Sequence, residues 1–457
     1  MDHKDRSQAD VASSGSRAAE CAAPRRRTIV TCISLFAVGL IVRLAYLAYF
    51  GIGSQEGGDM GGYIALARNL AQGHGFSFDG VTPATYRPPL FSSLLGAWCY
   101  LLDSTSLDTM VAFQVFVQTL CAPMTCLLVR QTQRSERFAM GAGLFIATYP
   151  FIFSNVDLVL QEPTQMLIAT ALGIAIVAWC RNPTPWRSVF AGLLLGLGAL
   201  AKSPFLIAPA ITLIVYLLGR PFRRQLPSRQ VVLAAIMTAV VILPWTVRNY
   251  QVSGGRFVLI NSQGPAQLIW IASDGIFRQR ESLSQPRQET PTRRKGVALS
   301  YGNVAGYDYL RRKNDELLDR GLSGPAVTEA LGAASRSYLL RHPAFVLKVV
   351  LRGMVLLFSP DAGSRLYSFV WIRVVAMLLF HLPLALGLFA GILRALREKN
   401  APMSILSLFV AVYLLVHAPA AIAGGRYSVP VIPLLIAITG YSLFRDRSRP
   451  GPVPGLV

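Results

Sequence analysis

The sequence predicts an all-α polytopic membrane protein, and two observations on composition and pattern support that class. Hydrophobic residues make up 53% of the 457 residues and charged residues only 15%, with a mean hydropathy of +0.45. Soluble domains usually carry about 25% charged residues. Apolar stretches close to the length of a bilayer crossing recur along the chain, and this recurrence accounts for the low charge.

Twelve apolar segments are candidate membrane helices. They lie near 28–50, 88–103, 108–129, 138–153, 164–180, 188–201, 204–219, 231–250, 344–358, 368–393, 402–420 and 428–444. Segment 88–103 begins with two prolines, and segment 344–358 contains Lys348 and Arg352, which is typical of helices along the membrane surface. If both lie on the surface, about ten helices cross with cytoplasmic termini. Because short crossings are easily missed, the prediction extends to twelve or thirteen crossings.

The net charge of +21 has a simple explanation in a membrane protein. In a soluble chain it would suggest nucleic acid, but most of the short basic clusters lie between apolar spans. Cytoplasmic loops carry an excess of Lys and Arg, and the ten-crossing arrangement places these clusters inside. We therefore predict membrane lipids as the surroundings and no nucleic acid as a partner.

The same topology predicts how the chain is organised around the inner, or plasma, membrane. The units are a cytoplasmic basic tail 1–27, a transmembrane core 28–250 with an outer loop 51–87, an extracytoplasmic polar region 251–343, interfacial and transmembrane helices 344–444, and a cytoplasmic tail 445–457. Within the polar region, stretch 278–295 is rich in Gln, Pro, Arg and Thr and is predicted to be mobile. Asn314 to Leu340 is predicted to form one or two amphipathic helices.

The six cysteines do not predict disulfides or a metal site. Most lie in or beside apolar spans, and none lies in the polar segment after Tyr250. No group of His, Cys, Asp or Glu has the spacing of a metal site. Neither a metal nor another cofactor is predicted.

The outer loop 51–87 contains the first candidate catalytic residue, Asp59. Tyr63, Leu66, Ala67 and Leu70 follow it on one helical face, which predicts a short surface helix. An aspartate before such a helix is commonly its N-cap. It could also serve as a general base at the membrane surface, where a lipid-borne donor can meet an acceptor hydroxyl. The two roles are compatible.

Basic and aromatic residues at the outer ends of spans are candidate contacts for a phosphate. They are Arg87, Lys202, Arg248, Arg426 and the neighbouring Tyr427. Each could instead anchor the chain at the membrane interface, because basic and aromatic side chains are common there. His74 could take part in acid–base chemistry, although a histidine in such a loop is more often a plain surface residue.

The motifs carrying these residues occur in a distinctive order. After Asp59 come Gly73-His74-Gly75-Phe76, Arg87-Pro88-Pro89-Leu90, Gln161-Glu162-Pro163, Ala201-Lys202-Ser203-Pro204, Leu243-Pro244-Trp245-Thr246-Val247-Arg248-Asn249, Arg341-His342-Pro343 and Gly425-Arg426-Tyr427. In this order the chain resembles, over nearly its whole length, the GT-C superfamily of integral-membrane glycosyltransferases. It is most similar to the bacterial branch related to protein O-mannosyltransferases and lipid A aminoarabinose transferases.

The resemblance implies a polyprenyl-phosphate-linked sugar donor and transfer with inversion to an extracytoplasmic glycan, lipid or protein. Asp59 matches the catalytic aspartate of the family, and Glu162 matches a site residue that supports acceptor binding or the base. Two residues depart from the family pattern. Met60 stands where many relatives have a second acidic residue, and Lys202 stands where many have arginine, which replaces a bidentate contact by a point charge.

Two other functions fit part of the pattern. Basic residues at span ends also suit a transporter or flippase of an anionic lipid-linked substrate, but such proteins place polar residues in broken helices at the membrane midplane. A ligase or polymerase of surface glycans shares the fold and differs in acceptor. Both remain alternatives to the transferase at this point.

Overall fold

The computed structural model describes residues 3–53, 58–133, 135–273, 304–322, 324–359, 370–423 and 425–444. Across these ranges the chain is mainly helical, with one isolated antiparallel bridge between Ser77 and Pro83. Stretch 278–295 and tail 445–457 lie outside the described residues.

The α-helices of the described ranges are numbered in chain order. They are α1 His3–Phe50, α2 Gly58–Ala71, α3 Pro89–Leu101, α4 Leu107–Thr132, α5 Glu136–Thr148, α6 Pro150–Phe153, α7 Glu162–Arg181, α8 Pro185–Ala201, α9 Ile207–Leu217, α10 Arg220–Gln225, α11 Ser228–Val252, α12 Gly264–Ala272, α13 Val304–Asp319, α14 Gly324–Arg341, α15 Pro343–Leu357, α16 Val370–Ala376, α17 Leu382–Arg397, α18 Ala401–His417 and α19 Ile432–Leu443. Short 3-10 segments cover Ser203–Leu206, Ala418–Ala423 and Gly425–Val431, and a π-helical turn covers Met377–His381.

Seven described helical segments are long and apolar enough to cross a membrane. They are Arg26–Phe50, Leu107–Thr132, Glu162–Arg181, Ser228–Val252, Val374–Arg397, Ala401–Ala421 and Gly425–Leu443. Three shorter apolar helices, Pro89–Leu101, Pro185–Ala201 and Ser203–Leu217, accompany them. Each predicted apolar segment coincides with helical structure, and the all-α polytopic class is confirmed.

The spans divide into a buried centre and a lipid-facing periphery. The apolar stretch of α7 is 78% buried within the protein, whereas that of α1 is 17% buried. Side chains such as Ile41 on α1 and Val240 on α11 are more than half exposed, as expected for helices bordered by lipid tails. The residues described below lie at the ends of the central spans and in the loops between them.

Small residues let α8 and α11 approach closely. A Cβ atom added at Gly192 would lie 2.3 Å from the carbonyl oxygen of Ala234, and one added at Gly196 would lie 2.6 Å from Cβ of Val241. Glycine at these positions allows the backbones to pack, as is common between membrane helices. This packing fixes the ends of both helices, where Lys202 and Arg248 lie.

Arg43 connects α1 to the core. It is fully buried, and its Nε donates to Oε1 of Gln118 on α4 over 2.7 Å. Its Nη1 donates to the carbonyl oxygens of Gly39 and Ala147, over 2.9 and 3.0 Å. The Arg43 guanidinium thus finds its hydrogen-bond partners within the protein. These bonds connect α1, α4 and the end of α5 just before the outer loop.

The polar region 251–343 contains a small helical core of its own. Ile269 of α12, Leu310 of α13 and Leu331 of α14 are buried against one another. Between Asn314 and Leu340, where one or two amphipathic helices were predicted, the structure has two helices. Helix α13 ends at Asp319 and helix α14 begins at Gly324.

Candidate functional site

Helix α2 places Asp59 at the edge of the core. Tyr63, Leu66 and Ala67 are at most 1% exposed, so the predicted apolar face packs inward. Asp59 lies in the first turn of α2, where the helix dipole stabilises a carboxylate. Its side chain is 37% exposed and therefore remains reachable from the surface.

The end of the outer loop brings Arg87 to Asp59. Arg87 precedes Pro88 and Pro89, and a proline at the start of α3 suits the fixed backbone of a first helical turn. Its Nη2 donates to Oδ1 of Asp59 over 2.7 Å, and its guanidinium lies 4.7 Å from the centre of the Tyr63 ring. Two residues from opposite ends of segment 51–87 thus form an ion pair.

Arg426 reaches the same carboxylate from the other end of the chain. Its Nη2 donates to Oδ2 of Asp59 over 2.5 Å, so each carboxylate oxygen is bound by a different guanidinium. Nε of Arg426 lies 3.7 Å from Oε1 of Glu162, the first residue of α7. Arg426 therefore links the half-exposed Asp59 to Glu162, whose side chain is only 7% exposed.

These contacts set the protonation of Asp59. Burial raises the pKa of its carboxyl, but the charges and hydrogen bonds of Arg87 and Arg426 lower it further than burial raises it. The pKa of Asp59 therefore lies below its usual range, and the group is ionised at neutral pH.

Lys202 lies beside Asp59, Arg87, Glu162 and Arg426 because it contacts the ring of Tyr427, the residue after Arg426. It follows α8 directly and is 8% exposed, and its Nζ lies 4.6 Å from the centre of the Tyr427 ring. Nζ has no hydrogen-bond partner within the part of the chain that the structure describes. Burial lowers the pKa of Lys202 to about 8, and the nearby Glu162 only partly offsets this. The six predicted residues that lie together are Asp59, Arg87, Glu162, Lys202, Arg426 and Tyr427.

Two predicted residues lie outside this group. Arg248 donates to the carbonyl oxygens of Phe76 and Ala84, and its guanidinium lies 4.7 Å from the Trp245 ring centre, so it fastens the outer loop to α11. The His74 side chain is exposed and lies beside Gly80 in the same loop. Their phosphate-binding roles stay predictions, and the described contacts of Arg248 are those of a residue that positions the loop.

Sequence reasoning missed Tyr413 and His417, which lie at the end of α18 beside Tyr427. Both are buried, and the rings of His417 and Tyr427 have centres 5.7 Å apart. The available signal was a histidine inside the apolar segment 402–420, since an ionisable residue in a membrane span is a functional candidate by default.

Comparison with known proteins supports the GT-C resemblance in sequence and in fold. Residues 90–259 match the model of the family described as dolichyl-phosphate-mannose-protein mannosyltransferase. No curated protein matches the chain in sequence.

Solved structures share the fold at low sequence identity. One is the oligosaccharyltransferase AglB from Archaeoglobus fulgidus with an inhibitory peptide and a dolichol-phosphate, at 15% identity, with a TM-score of 0.54 over 92% of this chain and 50% of that chain. The same enzyme tethered to an acceptor peptide gives 14% identity, with a TM-score of 0.52 over 90% of this chain and 49% of that chain. ArnT from Cupriavidus metallidurans with undecaprenyl phosphate gives 14% identity, with a TM-score of 0.41 over 90% and 77% of the two chains.

The chain spans about half the length of AglB, and at this identity the likeness concerns the fold. The family match and the fold agree with the resemblance that the ordered motifs predict, which is thereby confirmed. Residues 90–259 of this chain are similar to the dolichyl-phosphate-mannose-protein mannosyltransferase family, and the chain shares the fold of the membrane oligosaccharyltransferase AglB.

Proposed function

We propose that this protein transfers a sugar from a polyprenyl-phosphate carrier to an acceptor hydroxyl on the extracytoplasmic side of the inner membrane. The observation that carries the proposal is the half-exposed carboxylate of Asp59, held between Arg87 and Arg426. The description of the matching family names dolichyl-phosphate-mannose, and AglB is described in complex with a dolichol-phosphate. Both support a polyprenyl phosphate as the carrier.

Asp59 has the position and charge of a general base. An ionised carboxylate accepts the proton of the acceptor hydroxyl while the hydroxyl oxygen forms a bond to the anomeric carbon of the donor. The bond between that carbon and the phosphate oxygen breaks, and its electron pair stays on the phosphate. Because attack and departure occur on opposite faces, the product has inverted configuration, and polyprenyl phosphate is released.

The cations of the site stabilise the departing phosphate. A phosphate leaves with its charge already spread over oxygens, so fixed positive groups can replace a protonating acid. Each of the two arginines binds Asp59 through one Nη atom, and the Nε atom of each is buried without a hydrogen-bond partner among the described residues. Lys202 adds a third cation, and Glu162 holds Arg426 in place.

Transfer by the purified protein tests the proposal directly. A panel of polyprenyl-phosphate sugars is offered with a hydroxyl-bearing acceptor mixture from the cell envelope, and the released polyprenyl phosphate and the new glycoside are both measured. We expect at least one donor to give the two products in equal amounts. Folded protein that releases no polyprenyl phosphate from any donor contradicts the proposal.

Donor use is expected to depend on the protonation of Lys202. Because its pKa is about 8 in the free protein, kcat/KM for the donor should fall as the pH rises through that value and the positive charge is lost. Lys202→Arg should abolish this alkaline fall, since a guanidinium stays protonated. A pH–rate profile of both forms checks the prediction, and an unchanged alkaline limb in Lys202→Arg contradicts it.

The membrane orientation is tested with introduced cysteines. Val81 of the outer loop is 84% exposed, and Trp186, in the first turn of α8, is 75% exposed. In intact cells, a membrane-impermeant thiol reagent should label Val81→Cys and should label Trp186→Cys only after permeabilisation. The unmodified chain gives the background from native cysteines. The reverse pattern places Asp59 on the cytoplasmic side and contradicts the proposed localisation.

A further inference from the structure

A buried polar cluster lies beside Arg426 and Tyr427. Its members are Glu162, Lys202, Tyr413 and His417, each at most 8% exposed. One polar atom of each, namely Oε2 of Glu162, Nζ of Lys202, Oη of Tyr413 and Nε2 of His417, has no hydrogen-bond partner within the described chain. A buried polar atom without a partner costs free energy, so four together indicate a place built for a polar ligand.

Lys202, Tyr413 and His417 gather at the Tyr427 ring, and Glu162 lies beside Arg426, the residue before Tyr427. The rings of Tyr413 and His417 have centres 4.1 Å apart, and the His417 ring lies 5.7 Å from that of Tyr427. Lys202 lies on the same Tyr427 ring, 4.6 Å from its centre. Nδ1 of His417 bonds the carbonyl oxygen of Tyr413 over 2.8 Å, which fixes the ring and leaves Nε2 as the nitrogen available to a ligand.

The chemistry of the cluster fits a hydroxylated ligand better than a phosphate. It combines a donor (Lys202), two acceptors (Glu162, and Nε2 of His417, since Nδ1 donates to the Tyr413 carbonyl oxygen) and a hydroxyl that can do either (Tyr413). A phosphate offers only acceptors, so within this cluster it could be bound by Lys202 but would be repelled by the buried carboxylate of Glu162. A sugar offers hydroxyl groups that donate and accept, and its C–H faces pack on aromatic rings such as Tyr427.

We propose that Tyr413 and His417, with Lys202 and Glu162, bind the hydroxyl groups of the donor's sugar and so determine which sugar is transferred. This inference rests on the proposed transferase function. The donor is favoured over the acceptor by exposure, because Asp59 is 37% exposed while Tyr413 and His417 are 0% and 4% exposed. A bulky acceptor can reach the exposed part of the Asp59 carboxylate, whereas the buried groups of Tyr413 and His417 are suited to the smaller sugar of the donor.

The test compares binding of polyprenyl phosphate with and without a sugar. The sugar-carrying probe is the one that the wild-type protein binds most tightly among polyprenyl-phosphate mannose, glucose and arabinose. Tyr413→Phe removes a hydroxyl that has no partner in the described protein, so thermal unfolding should be unchanged or shift upward. We expect Tyr413→Phe to lower the affinity for the sugar-carrying probe about tenfold, as for loss of a buried hydrogen bond. The affinity for the sugar-free lipid should be unchanged.

Two further variants complete the test. His417→Leu removes the imidazole, and it too should lower the affinity for the sugar-carrying probe and leave the affinity for the sugar-free lipid unchanged. Tyr441→Phe is the matched control, because its hydroxyl bonds Glu398 near the opposite end of α18, and it should change neither probe.

The possible outcomes separate the two proposals. If Tyr413→Phe and His417→Leu lose affinity for both probes equally, or lose no affinity at all, the proposal of a sugar subsite is wrong. The proposed transferase function is not affected by that result. If the variants change only the KM for the acceptor, the donor assignment is wrong. If wild type binds the sugar-carrying lipids no better than the sugar-free lipid, there is no sugar subsite. If it binds neither, the transferase proposal fails as well.

Discussion

Replacing Asp59 by asparagine is expected to lower transfer by about 10³-fold while the protein stays folded and inserted. Asparagine has nearly the same shape but cannot accept the proton of the acceptor hydroxyl. The variant keeps the apolar face of α2, which packs through Tyr63, Leu66 and Ala67. Initial rates of product formation and the melting temperature in detergent are the two measurements.

Asp108→Asn is the matched control for this substitution. Asp108 also lies in the first turn of a helix, α4, but it is exposed and is not one of the residues gathered around Asp59. It should retain the rate of the wild type. Near-normal turnover in Asp59→Asn would remove the general base from the mechanism, even if the protein proved to be a transferase.

Replacing Arg426 by glutamine is expected to have the second largest effect. Arg426 binds Asp59 and lies beside Glu162, so the change removes one cation from each carboxylate. Loss of one electrostatic donor to a developing anion commonly lowers kcat by about 10²–10³-fold, and we expect that range here.

The pH profile of Arg426→Gln separates its two roles. Arg426 lowers the pKa of Asp59, so its removal raises that pKa. Asp59 then becomes protonated at a higher pH, and the acid limb of the residual activity should move upward. Arg394→Gln, which loses an ion pair with Glu398 on another part of the chain, should shift neither rate nor profile. A rate loss without any shift of the acid limb contradicts the coupling of Arg426 to Asp59.

Local patterns were enough to predict the apolar helices and the short helix in loop 51–87. Helix α2 follows the predicted apolar face, because its buried residues repeat at helical spacing within a few turns. Asp59 and Arg87 were both candidate site residues at the two ends of one loop, although the ion pair between them was not predicted. These features depend on neighbouring residues and are therefore visible in a single sequence.

Contacts between distant segments were not visible in the same way. Arg426 binds Asp59 across 367 residues, and sequence pattern gives no direct measure of such a pairing. The charge and position of Arg248 predict a phosphate ligand, but its guanidinium donates hydrogen bonds to the carbonyl oxygens of Phe76 and Ala84. These carbonyl groups come close to Arg248 only in the folded loop, so the sequence pattern does not indicate the contact. His417 was hidden for a related reason, since its neighbour Tyr427 comes from another helical segment.

The central claim is covalent transfer from a lipid phosphate, and reconstitution in sealed liposomes distinguishes it from transport of the same lipid. The wild-type protein is supplied with a labelled polyprenyl-phosphate sugar and an acceptor, and product formation and movement of the donor between leaflets are followed together. We expect one glycoside to form for each polyprenyl phosphate released, and Asp59→Asn to lower the rate of glycoside formation and of polyprenyl phosphate release by about 10³-fold. Movement of the intact donor between leaflets with no glycoside formed would contradict the claim and identify the protein as a flippase.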